Sequence, residues 1–250
     1  MKTYQKLCTL FYEADKPFAD PIALAFYTKY AVEANGPILE PMCGSGRFLI
    51  PLLQSGFDID GTDISPEMLQ VCRRKAEEAK LTVNLYEQPL HQIDLPRLYG
   101  LIFICSGSFS LITDPDEIVT SLQKMHDCLS PGGKLVVEVQ QLKDQPSSSW
   151  PWAGRWIILP NDERIIVSWL GNYDAVTQIS RSMLKYEHVG QNGSLITTEF
   201  QPFDLRSYAI DEFGDLLAQA GFAEIRCFTP HGEQPPNATD EEIVFEAIRP

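Results

Sequence analysis

The sequence predicts an α/β fold: a doubly wound, mostly parallel sheet of seven strands that carries an antiparallel β insertion. Three observations predict it. Over the first 145 residues short apolar runs alternate with helical patterns, as strands joined by crossover helices do. From about Gln141 the pattern changes to strand-like stretches separated by Gly- and Asn-rich turns. One amphipathic helix and two closing strands then complete the chain.

Pro37-Ile38-Leu39-Glu40 reads as a strand ending in a glycine turn, and Phe48 to Leu53 as a helix stopped by Gly56. Phe57 to Thr62 alternates faces as a second strand. Ser65-Pro66-Glu67 opens the next helix, with an N-cap residue followed by Pro at the first helical position. Its apolar face is expected to hold Met68, Val71, Cys72 and Ala79. Leu81 to Tyr86 reads as a third strand. Leu101 to Cys105 is apolar throughout, as befits a strand buried on both faces. A helix starts at Asp114-Pro115 and presents Ile118, Leu122, Met125 and Leu129 at helical spacing. Ser130-Pro131-Gly132-Gly133 turns into a fifth strand, Lys134 to Val139.

Beyond Gln141, a Pro-, Ser- and Trp-rich segment (142–160) precedes three strand-like stretches: Arg164 to Leu170, Val176 to Val189 and Ser194 to Phe203. Gly171-Asn172 and Gln191-Asn192-Gly193 read as their turns. Ile210, Phe213, Leu216, Leu217 and Ala220 mark a helix ending at Gly221, before strands at Phe222 to Phe228 and Glu242 to Ile248. These boundaries divide the chain into a core domain of residues 1–140 and 207–250 and an insertion of residues 141–206.

Composition narrows the function. With 34 acidic and 20 basic residues the net charge is −14. Nucleic-acid affinity rests on Lys and Arg meeting phosphates, so DNA or RNA is not expected as the partner. No apolar run reaches the length of a membrane span and the N-terminus lacks a signal-peptide core, so a cytoplasmic location is expected. The six cysteines are scattered without Cys-x-x-Cys pairs and read as reduced thiols; no spacing suits a metal.

The most informative segment is the strand–turn–helix Leu39-Glu40-Pro41-Met42-Cys43-Gly44-Ser45-Gly46. Glycines there let backbone approach a ligand, and a helix N-terminus follows. Asp63 ends the second strand seventeen residues after Gly46. That is near the offset at which a carboxylate accepts from both ribose hydroxyls. A dinucleotide fingerprint would need a third glycine where Leu49 stands, so the turn suits a smaller ligand than NAD.

Together with Gly61-Thr62-Asp63-Ile64-Ser65, Leu101 to Ser108, Leu129 to Leu135 and Ala220-Gly221-Phe222, this segment resembles the class I S-adenosylmethionine (SAM)-dependent methyltransferases, over residues 35–250. Three positions depart from the family pattern: Met42 for a glycine, Pro89 for an acidic residue and Gly100 for an aspartate. The resemblance implies a Rossmann-like fold and SAM as cofactor. It places Glu40, Gly44, Ser45 and Gly46 at the methionine part, Asp63 at the ribose and Ile64 with Leu90 at the adenine. Cys105 and Ser106 would border the methyl. Tyr4 and Tyr12, in the N-terminal arm, would cap the donor.

The expected activity is methyl transfer from SAM to a nitrogen or oxygen of a small molecule. A non-catalytic SAM-binding protein and an RNA methyltransferase are the alternatives, the latter disfavoured by charge. Of the catalytic residues the sequence offers only His188 and Tyr12 as candidates. The insertion, with Trp150, Trp152, Trp156 and Trp169, either packs its own core or walls an apolar acceptor pocket; a homodimer through its strands is a further expectation.

Overall fold

The computed structural model describes residues 4–144, 146–232 and 234–250. Two helices lead: α1 (Lys6–Asp15) and α2 (Pro21–Glu33). The core then alternates β1 (Ile38–Pro41), α3 (Leu49–Gln54), β2 (Ile59–Asp63), α4 (Pro66–Glu78), β3 (Asn84–Glu87), β4 (Tyr99–Ile104), α5 (Pro115–Cys128) and β5 (Leu129–Gln141). After the inserted strands β6 (Ser148–Ile158), β7 (Arg164–Asp174), β8 (Ile179–Val189) and β9 (Leu195–Tyr208) come α6 (Ile210–Gln219), β10 (Ala223–Phe228) and β11 (Glu242–Ile248).

The core sheet runs β3-β2-β1-β4-β5-β11-β10, parallel except where β11 pairs antiparallel with β5 and β10. Local chemistry sets the helix starts. Ser65 accepts from the Met68 N–H at 3.1 Å, and Asp114 accepts from the Asp116 and Glu117 N–H groups; each is followed by Pro. Apolar faces fill both sides of the sheet. Ile118, Leu122, Met125, Phe213 and Leu217 cover one side. Tyr27, Leu49, Leu52, Leu69 and Cys72 cover the other. Every residue of β4 is buried, as its unbroken apolar run requires. On α4 the buried face is Met68, Leu69, Cys72 and Ala76; Val71 and Ala79 lie at its margin, one step around the helix from the expected stripe.

The insertion has four strands, not three, in the order β9-β8-β7-β6. The additional strand, β6, lies in the Trp- and Pro-rich segment. Pro151 falls within the register shift between Trp150 and Ala153 of this edge strand, where proline costs no ladder bond. Gly171-Asn172 is not a turn but lies inside β7. A Cβ on Gly171 would sit 2.5 Å from the Arg181 carbonyl oxygen and 2.9 Å from the Trp150 ring, so close packing explains this glycine. Beyond Ile104, where β4 ends, β9 joins β5 in parallel at Gln140 and Gln141, so the inserted sheet continues the core sheet.

Cross-strand register defines the two faces of the insertion. Ile165, Val167 and Tyr186 on the inner face pack with Leu7, Cys8 and Phe11 of α1. No side chain of α1 caps its own N-terminus; the Glu199 carboxylate of β9 does so, accepting from the Leu7 N–H at 2.9 Å and the Cys8 N–H at 3.1 Å. Arg155 of β6 forks onto Asp15 at the other end of α1, at 2.6 and 2.7 Å. Lys75 of α4 reaches Glu13 at 2.7 Å, so α1 bridges core and insertion.

Candidate active site

At the carboxyl ends of β1, β2 and β4 lies a cavity of about 360 Å³. This is the usual ligand crevice of a doubly wound sheet. Glu40, Gly44, Asp63, Ile64, Leu90, Cys105 and Ser106 stand in its wall, brought together from three strand ends and the turn after β3. Tyr4 and Tyr12 wall it from the N-terminal arm, with ring centroids 6.1 Å apart.

The β1 turn keeps a glycine-like backbone despite its sequence. Met42, where the family pattern has glycine, has φ of 56°, in the left-handed region that favours glycine. Ser45 and Gly46 do not reach the wall. Ser45 is buried beside the Lys75 ammonium, and Gly46 backs onto the Cys72 thiol. His188 is also elsewhere: it binds the Glu163 carboxylate at 2.7 Å on the insertion, outside the cavity wall.

Asp63 is a partly buried carboxylate at the end of β2. Its two oxygens accept from the Gly44 and Ser65 N–H groups, each at 2.8 Å, tying the β1 turn to the β2 end. Burial holds its pKa above the ordinary range even so. Each oxygen keeps a second lone pair for a ligand hydroxyl.

Glu40 is the other acid of the floor, 2% exposed. One oxygen accepts from the Cys105 thiol at 3.7 Å, while Oε2 has no protein partner. Desolvation pushes its carboxyl well above the usual range. Across the cavity stands Arg47, which the sequence reading passed over. Its Nη2 donates to Ser106 Oγ at 3.0 Å, its guanidinium lies 5.4 Å from the centres of the Tyr12 and Phe48 rings, and its Nε is buried without a partner. A carboxyl and a guanidinium thus stand in one cavity wall, each with a buried polar atom that has no protein partner. An amino-acid zwitterion fits that pair, its ammonium to Glu40 and its carboxylate to Arg47.

The rest of the wall is apolar or acidic. Ile64, 46% exposed, offers an uncovered aliphatic surface opposite buried Leu90, suited to a flat ring. Asp114, Glu117 and Asp204 add carboxylates, a field that favours a cationic ligand such as a sulfonium. The insertion contributes Pro202, Phe203 and Asp204 of β9. Its four tryptophans do not line the cavity. Trp150, Trp152 and Trp156 are exposed, while Trp169 packs against the cluster of Ile165, Val167 and Tyr186 with α1, so the core role falls to Trp169 alone and none of the four walls the cavity.

Residues 38–133 match the family model described as a methyltransferase domain. A curated relative named "Putative methyltransferase GWCH70_2453", from Geobacillus sp. (strain WCH70), is 22% identical over 219 residues, covering 88% of this chain and 87% of the relative. Among solved structures, a S-adenosylmethionine-dependent methyltransferase from Clostridium acetobutylicum ATCC 824 superposes with a TM-score of 0.77 at 16% identity over 96% of each chain. The sugar N-methyltransferase KedS8 from Streptoalloteichus sp ATCC 53650 gives 0.76 at 20% identity, over 100% of this chain and 95% of that one. The matched domain, its strand order and the crevice at the strand ends agree: residues 38–133 form a methyltransferase domain, and the chain has the fold of the SAM-dependent methyltransferases.

Proposed function

We propose that the cavity holds SAM with its amino-acid end between Glu40 and Arg47, its ribose at Asp63 and its adenine between Ile64 and Leu90, and that the acceptor is a small molecule with a nucleophilic nitrogen or oxygen. The observation that carries the donor pose is the presence in one cavity wall of Glu40 and Arg47, each with a buried polar atom, Oε2 and Nε, that has no protein partner. Bound SAM supplies an electrophilic methyl on a sulfonium. The protein's part is alignment and exclusion of water. Cys105 and Ser106 border the methyl, and Tyr4 and Tyr12 close the space above it. Burial pushes the Tyr12 phenol up to about 12, so it remains protonated and serves as a hydrogen-bond donor, not as the base. Gly44 supplies backbone beside the methionine part; Ser45 and Gly46 support that turn from behind.

Residues 141–206 act as the acceptor-side lid through the Pro202–Asp204 edge. A net charge of −14 supports a metabolite over RNA. So do relatives described as a ubiquinone biosynthesis O-methyltransferase, 28% identical over 117 residues, and a sugar N-methyltransferase. The test is incubation with methyl-labelled SAM and a fractionated cell extract. Label is expected in small organic amines or alcohols; label confined to RNA or protein would overturn this reading.

A further inference from the structure

Behind the cavity wall lies a buried polar network that the donor pose does not use. The turn Cys105–Gly107 after β4 holds two consecutive left-handed residues, Ser106 with φ of 56° and Gly107 with φ of 62°. Such a conformation is unfavourable for serine, so something else must hold it. That anchor is Glu138, fully buried on β5, whose Oε2 accepts from the Ser106 N–H at 2.5 Å. Its Oε1 accepts from the Tyr27 hydroxyl of α2 and lies 3.3 Å from Nε2 of His231, in the β10–β11 connection. Tyr27 is itself fixed by stacking on Phe103, with centroids 4.8 Å apart. The far side of the turn is filled as well. A Cβ on Gly107 would lie 2.7 Å from Gln140 Nε2 and 2.8 Å from Glu242 Oε1, so a side chain there would have to displace both at a left-handed φ.

We propose that Glu138 is a positioning residue for donor binding. It fixes the Ser106 turn so that Ser106 Oγ holds the Arg47 guanidinium toward the donor's carboxylate. The proposal rests on the donor pose given under Proposed function. It draws α2, β5 and the β10–β11 connection into a site that none of them lines. A carboxylate suits the task because it offers acceptors in two directions, to the backbone N–H on one side and to Tyr27 and His231 on the other.

The experiment compares two ligands by calorimetry on the full chain: S-adenosylhomocysteine, and methylthioadenosine, which lacks the amino-acid group. Wild type must bind S-adenosylhomocysteine, and Arg47→Gln must weaken it while sparing methylthioadenosine; failure of either step overturns the donor pose itself. With both met, Glu138→Leu is expected to lower S-adenosylhomocysteine affinity by about tenfold, the scale of one hydrogen bond to a charged group, with methylthioadenosine unchanged. Glu138→Gln, which still offers an acceptor to Ser106, is expected to restore most of the loss. The positioning role is overturned if both ligands weaken together, if neither weakens, or if Gln behaves like Leu. Should Glu138→Leu not fold, Gly107→Ala displaces the same turn from the other side and is read by the same two ligands.

Discussion

Glu40 and Asp63 stand at equivalent strand ends, yet they answer differently to substitution. Burial raises the Glu40 pKa, so the folded protein holds a proton that the unfolded chain gives up. Stability therefore falls as pH rises from the ordinary carboxylate range through the folded-state value. Glu40→Gln removes that dependence. It should raise the ligand-free melting temperature at neutral pH, by about 3 °C for each kcal/mol recovered, while weakening S-adenosylhomocysteine binding. Scanning calorimetry with and without ligand checks both signs; a lowered melting temperature with unchanged affinity would refute the assignment. Asp63→Ala, in contrast, unpairs the Gly44 and Ser65 N–H groups. It should cost about 2 kcal/mol of fold stability as well as ribose contacts; chemical denaturation reads the first and titration the second. The sequence marked both acids through the spacing of the β1 turn and the β2 end. It did not mark Arg47, whose orientation depends on Ser106, 59 residues away. Nor did it show that Ser45 faces inward, because which way a turn residue points is settled by α4 packing behind it.

At the scale of elements, the core was legible because each signal was local. Ser65-Pro66 and Asp114-Pro115 start their helices through bonds two or three residues away. The strand run Leu101 to Ile104 needs only its own composition. β6 was not legible: Pro151 reads against a strand, and its order comes from pairing with β7. The docking of α1 was also hidden, since its N-terminal cap is a carboxylate about 190 residues away. Glu199→Ala leaves the Leu7 and Cys8 N–H groups without that acceptor, at a cost of about 1–2 kcal/mol. Because α1 carries Tyr12 over the cavity, donor affinity should fall with it, and proteolysis near α1 should speed up. Unchanged proteolysis and affinity would show that α1 is held by its apolar contacts alone.

Across the whole molecule, core, arm and insertion form one continuous structure. Deleting residues 141–206 would strip the apolar partners from Leu7, Cys8 and Phe11, so loss of activity in such a variant would not isolate a lid function. The outer face of the insertion remains uncovered: Trp156, Leu170, Met183 and Phe200 point away from α1 and are exposed. The homodimer expected through these strands would bury this face. Sedimentation should give a dimer that Trp156→Ser with Phe200→Ser converts to monomer; a monomeric wild type would exclude it. The fold and the methyltransferase domain were legible from motifs in order along the chain, whereas the cavity is shared by the end of β4, β9 and the N-terminal arm, which no single segment encodes. The central claim is that this cavity is a SAM site built around an amino-acid clamp. A calorimetric titration with S-adenosylhomocysteine tests it most directly. One site per chain with micromolar affinity is the expected result, and the absence of any binding heat across temperatures, with NAD binding instead, would contradict it.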